Sequence, residues 1–476
     1  MTLETDFNAF VERYPAYAET SLLDRLRTTD FARLDRDGDV YLDYTGGGLY
    51  ADSQIREHYR MLADGIFGNP HSHNPTSLAA TALVEDAREA VLSYFNSDPA
   101  EYDVVFTANA SGALKLVGEA YPFCPGARYL VSYDNHNSVN GIREFARRCD
   151  AEVTYIPVRN PDLRLDEDLV RRGLQLLEPG RRGLFAYPAQ SNFSGVQHSL
   201  EWIAEAQELG WDVLLDSAAF VPTNRLNLSS VKPDFVPVSF YKMMGYPTGV
   251  GALIARHEAL AKLERPWFAG GTITLASVGA SVHHLAAGHT GFEDGTVDYL
   301  GLPAVAIGLR YLSKIGIDTV HSRVESLASW LLAQMADLRH DNGAPLVRIF
   351  GPARMDRRGS TIAFYLLDPS GAVFDVYRIE SLAGEQHISV RTGCFCNPGD
   401  GEVAHNISAD EMEGCFDDEC VPVTLMDCQR LIQDATGKVP NTIRVSLGIG
   451  SNFADVWRFS EFMAGFRNVD ARAISK

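Results

Sequence analysis

The most informative segment of the chain is Asp234-Phe-Val-Pro-Val-Ser-Phe-Tyr-Lys242-Met-Met-Gly-Tyr-Pro-Thr-Gly-Val-Gly-Ala-Leu-Ile-Ala255. It predicts a short apolar strand, a turn that carries one lysine, a glycine-rich bend and a second apolar strand. Lys242 is the only charged residue between Asp234 and Arg256. Apolar surroundings disfavour the ammonium form of lysine, which lowers its pKa and leaves the amine nucleophilic. The stretch therefore predicts a reactive lysine at the end of a buried strand.

Apolar segments that alternate with helical ones extend on both sides of this stretch. Near-continuous apolar strands separated by helices are typical of a parallel or mixed sheet covered on both faces. Sites in such sheets lie beyond the carboxyl ends of the strands. We therefore expect an α/β fold with a large domain built on a seven-stranded, mainly parallel sheet, whose strands are Asp103–Phe106, Arg128–Val131, Glu152–Ile156, Gly183–Ala186, Asp212–Leu215, Phe235–Val238 and Gly251–Ile254.

Three structural units are predicted. Residues 1–35 have helical spacing and form an N-terminal arm that packs with the small domain, residues 36–305 form the large domain, and residues 306–476 form a smaller α/β domain. The acidic segment at about 400–440 lacks clear periodicity and is predicted to be a loop-rich insertion. A long helical region is predicted for about Pro303–Leu338. Beyond it, the strands predicted for the small domain are Arg348–Phe350, Thr361–Tyr365 and Ile388–Arg391.

Composition narrows the class of protein. The chain has 42 basic and 62 acidic residues and a formal charge of −20, so nucleic acid and anionic membranes are not expected as partners. No apolar run approaches the ~20 residues that span a bilayer. The first residues carry no basic region followed by an apolar one, so we expect no secretory signal and a cytoplasmic location. Seven scattered cysteines do not predict a disulfide framework.

The end of a second predicted strand provides a carboxylate that could act together with Lys242. The strand Trp211–Asp216 ends in a carboxylate, which could hold a pyridinium nitrogen. A Schiff base requires a nucleophilic amine, and a lysine with an aspartate partner on strand ends is the arrangement expected for pyridoxal 5′-phosphate. Taken alone, a lysine after a strand is usually a solvated loop residue, so the other stretches must support this interpretation.

Four further polar residues suit such a site, and each also has an ordinary structural explanation. Ser111 opens a helix after a strand, where phosphate binds, but small residues there also serve as N-caps. His136 could stack on a flat ring and relay protons, or cap a loop. Asn192 could hydrogen-bond a phenolic oxygen, or form an Asx turn. Arg444 could bind an α-carboxylate with its bidentate fork, or lie on the surface.

Two thiols follow a predicted strand in Arg391-Thr-Gly-Cys394-Phe-Cys396. A nucleophilic cysteine needs a partly exposed, electropositive setting, and Arg391 is near. The thiols could instead bind zinc together with Cys415 and Cys420, or be ordinary buried cysteines. In an extended segment side chains two apart point the same way, so geometry alone does not choose between the two thiols.

Together these stretches resemble the class V aminotransferase family of pyridoxal-phosphate enzymes (fold type I), and within it the cysteine desulfurase domain of molybdenum cofactor sulfurases. The resemblance runs from residue 41 to past Arg444. Its most specific parts surround Lys242 and Cys396. The matching segments are Tyr41–Asp43, Gly68–Ser72, Phe106–Ala108, Pro188–Gly195, Ser239–Lys242, Gly245–Gly249, Phe292–Thr296 and Arg391–Gly399.

The resemblance implies a role for each matching residue. Lys242 is similar to the Schiff-base lysine, and Cys396 to the cysteine that forms a persulfide. Thr272 is similar to a threonine that reaches the phosphate of the neighbouring subunit, which implies a homodimer. The remaining roles are Asp216 beside the pyridinium nitrogen, His136 on the ring, Asn192 on the phenolic oxygen, Ala110, Ser111, Ser239 and Tyr241 on the phosphate, and Arg444 with Arg391 on the substrate carboxylate.

The chain also departs from the family pattern. Ala219 stands where the family more often has glutamine three residues after the aspartate, so Asn192 would carry the phenolic oxygen. The third cysteine often found after Asn-Pro-Gly is replaced by Asp400-Gly-Glu402. The sequence stops near the close of the desulfurase domain, so we expect no further cofactor-binding domain and leave the sulfur acceptor open.

The expected function is a pyridoxal-phosphate cysteine desulfurase. It would convert L-cysteine, or a related amino acid, to L-alanine and leave a persulfide on Cys396 for an unknown acceptor. A β-eliminating lyase or another enzyme of this fold in a biosynthetic pathway would use Lys242 without Cys396. A non-catalytic binding protein on the same scaffold is the third alternative.

Overall fold

A computed structural model describes residues 2–413, 415 and 424–474, and for residues 425 and 426 the backbone only. Its centre is a seven-stranded sheet, as the sequence predicts. The strand Gly251–Arg256 runs antiparallel to both of its neighbours, and the other strands pair in parallel. The spatial order is Tyr102–Thr107, Gly251–Arg256, Phe235–Ser239, Asp212–Asp216, Gly183–Pro188, Arg128–Ser132 and Glu152–Ile156.

Both faces of this sheet are covered. Val104 and Phe106 pack in one hydrophobic core, whereas Val105 between them packs in a second core on the opposite face. This alternation follows from the two-residue period of a strand. The α-helices are Leu3–Arg13, Ser21–Thr28, Ala32–Asp37, Asp52–Asp64, Pro75–Tyr94, Ala110–Ala120, Asn137–Asn140, Ile142–Arg148, Glu167–Leu174, Trp202–Glu208, Phe240–Met244, His257–Leu260, Leu302–Ile315, Ile317–Asp337, Val376–Glu385, Pro398–His405, Ala409–Glu413, Leu425–Thr436 and Phe453–Ala464.

A smaller sheet is built from the second half of the chain. Its four strands pair antiparallel in the order Val347–Phe350, Ile362–Leu366, Thr442–Val445 and Arg391–Gly393. The predicted strand Ile388–Arg391 is therefore wrong as one element. Ile388–Ser389 instead pairs in parallel with Val40–Tyr41, and the chain changes sheet at Val390. Two hairpins are separate, Val158–Arg159 with Arg164–Leu165 and Ile273–Ser277 with Val282–Leu285.

The N-terminal arm packs on the helix Ile317–Asp337 through a buried arginine. Arg323 forms an ion pair with Asp24 at 2.6 Å, and its guanidinium lies 3.9 Å from the centroid of the Tyr17 ring. The predicted helical region Pro303–Leu338 consists of two helices, because Gly316 ends the first one.

The described residues of the segment 400–440 contain more helix than the sequence predicts. The last of these helices, Leu425–Thr436, begins with a capping box formed by Thr424 and Asp427. A capping box is a signal of a helix start that can be read from the sequence, and the prediction of a loop-rich insertion did not use it. Cys415 and Cys428 form a disulfide, so the cysteine count missed one bond. Cys420 lies outside the described residues.

Two kinds of feature are absent from the residues that the structure describes. Within 2–413, 415 and 424–474, none of the helices is long and apolar enough to cross a membrane. In the same ranges, no group of three or more histidine, cysteine or acidic side chains is arranged to hold a metal ion.

Candidate active site

A cavity of about 450 Å³ lies beyond the carboxyl ends of the central strands. Its position follows from the parallel sheet, which gathers the residues that end neighbouring strands at one edge. Asp216 ends one strand and Ser239 the next, and the short helix Phe240–Met244 then carries the lysine. Eight residues predicted for the site line the cavity, namely Ala110, Ser111, His136, Asn192, Asp216, Ser239, Tyr241 and Lys242.

Lys242 has the electrostatic environment that the sequence predicts. Burial lowers the pKa of its amine, because the cavity disfavours the charged form. The negative charge of Asp216 opposes this effect, and the positive charge of Arg444 lowers the pKa of Lys242 further. The amine is therefore available in its neutral, nucleophilic form at a lower pH than that of a solvated lysine.

His136 lies close to the same charges. Burial lowers the pKa of its imidazole, Asp216 opposes the effect, and Lys242 and Arg444 add to it. The backbone N–H of Ser138 donates to Nδ1 of His136 at 3.1 Å. Because Nδ1 accepts this bond, the proton of the neutral ring is assigned to Nε2. The ring is thus held in one orientation at the cavity wall.

The N-terminus of the helix Ala110–Ala120 forms another wall. Asn109 caps the helix by accepting from the backbone N–H of Gly112 at 2.9 Å. The strand that begins at Gly251 passes so close that a Cβ atom there would lie 2.5 Å from the Asn109 carbonyl carbon. The hydroxyl oxygens of Ser111 and Ser138 are 2.6 Å apart. Free N–H groups and hydroxyls at a helix N-terminus suit a phosphate group.

The loop that carries the two thiols is folded back rather than extended. Phe395 and Cys396 both have positive φ angles, 57° and 55°. This conformation is costly for non-glycine residues, and surrounding contacts hold it in place. The backbone N–H of Asn137 donates to the Cys396 carbonyl at 2.7 Å, and the Asn192 amide donates to the Phe395 carbonyl at 2.8 Å.

This loop geometry separates the two thiols, which the sequence could not do. Cys396 is exposed and close enough to Lys242 and Arg444 to influence the pKa of both. Cys394 is partly buried, and its charge acts on Tyr377 instead. The left-handed turn between them breaks the alternation on which the extended-strand argument depends. Cys396 is therefore the thiol whose charge reaches the lysine of the cavity.

The two predicted arginines meet at one carboxylate. Arg444 donates to Oδ1 of Asp43 at 3.0 Å, and Arg391 donates to Oδ2 at 2.7 Å. The Arg444 side chain is only 3% exposed, whereas that of Arg391 is 52% exposed. Arg444 also donates to the Asn192 carbonyl at 2.9 Å and lies 4.4 Å from the centroid of the Phe395 ring. Sequence reasoning missed Asp43 as a site residue, although it ends the matching segment Tyr41–Asp43.

The sequence model of one protein family matches most of the chain. The family is described as aminotransferase class-V, and the match covers residues 40–459. The chain belongs to this family.

Individual relatives within this family are similar to the chain over most of its length. The molybdenum cofactor sulfurase of Solanum lycopersicum is 33% identical over 97% of this chain and 60% of its own length. The molybdenum cofactor sulfurase of Bos taurus is 36% identical over 94% of this chain and 52% of its own length. The chain thus spans between half and two thirds of the length of these relatives.

The structural comparison agrees with the family on the fold. A cysteine desulfurase from Thermococcus onnurineus superposes with a TM-score of 0.74 at 21% identity, covering 93% of this chain and 97% of its own. The cysteine desulfurase CsdA of Escherichia coli superposes with a TM-score of 0.69 at 20% identity, covering 90% and 94%.

Thr272 lies away from the other predicted residues of this class V aminotransferase chain. Its hydroxyl is buried and bonds to the backbone N–H and carbonyl of Ala269, both at 2.9 Å. The hairpin that follows exposes apolar side chains, including Leu275 and Val278. One chain therefore does not bring Thr272 into its own cavity.

Two polar features of the cavity region escaped the sequence analysis. Gln190 lines the cavity and donates to the Ala219 carbonyl at 2.9 Å, so an amide stands beside the position where this family more often has glutamine. Below the cysteine loop, Asn397 donates to the Asp134 carbonyl at 2.8 Å, and Asp400 lies 2.5 Å from the Ser191 hydroxyl. Their partners are far apart in sequence, which hides them from pattern analysis.

Proposed function

We propose that this chain is a pyridoxal-phosphate-dependent cysteine desulfurase that converts L-cysteine to L-alanine and retains the sulfur on Cys396. The observation that carries the proposal is that Lys242 lines the cavity, while the loop of Cys396 is bonded to Asn192 of the cavity wall and Cys396 lies close enough to act on the pKa of Lys242. A desulfurase needs both groups, whereas a β-eliminating lyase needs only the lysine. The molybdenum cofactor sulfurases among its relatives support the same conclusion.

The cavity fits pyridoxal phosphate. It offers a lysine whose pKa is lowered, a carboxylate at a strand end, and a helix N-terminus with hydroxyl groups. Lys242 would bond the cofactor aldehyde, Asp216 would hold the pyridinium nitrogen, and His136 would lie against the ring. When bound, the group would supply an electron sink for the carbanion at the substrate Cα. Its phosphate would bind at Ala110, Ser111, Ser239 and Tyr241.

Asn192 can form hydrogen bonds to both the cysteine loop and the cofactor. One hydrogen of its amide is donated to the Phe395 carbonyl, and its oxygen accepts from Asn397 at 3.0 Å. The second amide hydrogen would remain for the phenolic oxygen of the cofactor. This residue would therefore couple the orientation of the ring to the placement of the cysteine loop.

Different side chains of this protein would carry out different steps of the reaction. Arg391 and Arg444 bind the substrate carboxylate, and the neutral Lys242 amine removes the Cα proton. The Cys396 thiolate attacks the substrate sulfur, so that an S–S bond forms as the Cβ–S bond breaks. The electron pair of the broken bond remains on Cβ, which takes up the proton that Cys396 released on becoming a thiolate. Lys242 returns the Cα proton, and alanine leaves. The sulfur remains on Cys396 as a persulfide, a reversible state that an acceptor thiol can reduce.

The test is a product analysis. Purified protein loaded with pyridoxal phosphate is incubated with L-cysteine, and amino acid and keto acid products are identified together with the mass of the peptide that contains residue 396. Alanine and one added sulfur atom are expected. Pyruvate without added sulfur would instead identify a β-eliminating lyase, and the absence of both products would favour a binding protein.

We also propose that the protein is a two-fold dimer. Val278, at the turn of the hairpin that follows Thr272, is 98% exposed, and Leu275 is 64% exposed. Exposed apolar side chains of this kind are suited to burial in the interface of a closed dimer. Sedimentation of the wild type and of Val278→Asp tests this proposal. A wild type that is monomeric, active and fully loaded with cofactor would contradict it.

A further inference from the structure

Asp43 lies between the two arginines of the site and shares its carboxylate between them. Oδ1 accepts from Arg444 at 3.0 Å, and Oδ2 lies 2.6 Å from Arg391 Nη2 and 2.7 Å from its Nε. Charge-assisted bonds of this length are the stronger class of hydrogen bonds. The arrangement brings together one residue from the start of the chain and two from the small sheet.

The backbone around Asp43 fixes the position of this carboxylate. The N–H groups of Gly46 and Gly47 both donate to the Asp43 carbonyl, at 3.0 and 3.1 Å, which folds the chain back over the side chain. A Cβ atom at Gly46 would lie 2.4 Å from the carboxylate oxygen, so only glycine permits this close turn. The Asp43 side chain is 8% exposed and has little room to adopt another rotamer.

The three side chains leave one net positive charge. Arg444 is buried, and burial lowers the pKa of its guanidinium while Asp43 opposes the effect. Its Nε finds no hydrogen-bond partner among residues 2–413, 415 and 424–474. Arg391 is half exposed, and the pKa of its guanidinium is raised by its bond to Asp43. Glu380 also acts on Arg391 from a neighbouring helix, but more weakly than Asp43.

We propose that Asp43 limits the negative charge that the substrate site can accept. The site would then select amino acids with one carboxylate over amino acids with a second anionic group. This inference rests on the proposed function, in which the two arginines hold the substrate carboxylate. One carboxylate matches the single net positive charge. A second anion would meet the Asp43 carboxylate without a cation left to balance it.

The test measures equilibrium binding to the protein loaded with pyridoxal phosphate. L-Alanine carries one carboxylate, and L-aspartate adds a second anion. Calorimetric dissociation constants for both are compared in the wild type and in Asp43→Asn. Since the substitution removes the balancing charge, we expect the affinity for aspartate relative to alanine to rise about tenfold, which is ~1.4 kcal/mol.

Three other variants make the result specific. Asp39→Asn removes a carboxylate four residues away that pairs with His387 at the surface, and its binding ratio should match that of the wild type. Asp43→Glu keeps the charge and should keep the selectivity even if both affinities fall. Arg391→Gln removes an exposed cation and should lower the affinity for aspartate relative to that for alanine. This variant tests the proposal if Asp43→Asn does not fold.

An unchanged ratio in Asp43→Asn or in Arg391→Gln would overturn the inference, as would an equal change in Asp39→Asn. A wild type that binds aspartate as tightly as alanine would also overturn it. Failure of the proposed function has a different signature, because it appears in the wild type as missing alanine in the product analysis whatever the binding ratio.

Discussion

The side-chain amide of Asn192 donates a hydrogen bond of 2.8 Å to the backbone carbonyl of Phe395. This bond joins the residue that follows a strand of the central sheet to the loop that presents Cys396. Because Phe395 and Cys396 both hold positive φ angles, the loop needs external bonds to keep this shape. The position of the thiol therefore depends on groups that belong to the cofactor cavity.

Asn397 completes this connection and provides the first prediction. Its buried amide donates to the Asn192 side-chain oxygen and to the Asp134 carbonyl. Asn397→Ala should cost about 1–3 kcal/mol of stability, because buried polar partners are left unpaired. Persulfide formation should slow by about tenfold or more while cofactor absorbance is retained.

Rapid-quench mass spectrometry of the 396 peptide measures this rate. Asn342→Ala is the matched control, since that amide donates to the Pro369 carbonyl at the surface. A normal rate in Asn397→Ala would show that the loop does not need this support.

Lys242→Ala should abolish turnover. The amine is the only group we assign to bonding the cofactor aldehyde, so the visible absorbance of the lysine-bound cofactor should disappear, and alanine release should fall by at least roughly 10³-fold. Absorbance spectra and product assays check both. Lys232→Ala, which removes a half-exposed lysine paired with Glu101, should behave as the wild type. Turnover in Lys242→Ala near the wild-type rate would refute the assignment.

The two thiols should respond differently to substitution. Cys396→Ser should abolish persulfide formation but retain cofactor binding, since the thiol is not needed for that step. Cys394→Ser should keep most activity, because the charge of Cys394 acts on Tyr377, whereas that of Cys396 acts on Lys242. Mass spectrometry after incubation with cysteine locates the added sulfur. Sulfur on Cys394 with Cys396 unmodified would reverse the assignment.

Asp400 predicts a pH dependence of stability. Burial raises the pKa of its carboxyl well above the usual value, and the nearby Asp134 adds to this effect, so the folded protein keeps Asp400 protonated where the unfolded chain releases the proton. Stability then falls as pH rises above the unfolded pKa of about 3.9, by up to ~1.4 kcal/mol per pH unit, until the folded pKa is reached.

Asp400→Asn should remove this slope and gain stability relative to the wild type between pH 5 and 7. Urea denaturation midpoints measured at pH 5, 6 and 7 test it. Asp410→Asn, at an exposed position in the helix Ala409–Glu413, is the control. Parallel pH profiles for Asp400→Asn and the wild type would show that Asp400 ionises in the folded protein.

The central sheet was predictable because its strands are nearly continuous apolar runs. Each predicted strand lies within an observed one and misses at most two terminal residues, as in Gly183–Pro188. Ile388–Arg391 failed because two strands of different sheets are separated by a single residue, which leaves no turn signal. The helix Leu425–Thr436 was missed although the capping box of Thr424 and Asp427 marks its start in the sequence.

The cavity residues were predictable for a related reason. Lys242, Asp216 and Asn192 follow strands, and parallel strands bring such residues together. The network of Asp43 with Arg391 and Arg444 was not predictable. The two arginines follow Asp43 by 348 and 401 positions, and pairs that far apart leave no local pattern in the sequence. The choice between Cys394 and Cys396 needed the left-handed turn, which no periodicity reports.

The pairing of the strand Val40–Tyr41 with Ile388–Ser389 has a consequence for biosynthesis. A ribosome that adds 5–20 residues per second makes Asp43 roughly 17 to 70 s before it makes Arg391, 348 positions later. During that interval the nascent segment has not met its partner strand, although the central sheet can already assemble. On the proposed function, a chain released early would carry the cavity residues but would lack the two arginines assigned to the substrate carboxylate, so the emerging protein would gain that recognition last.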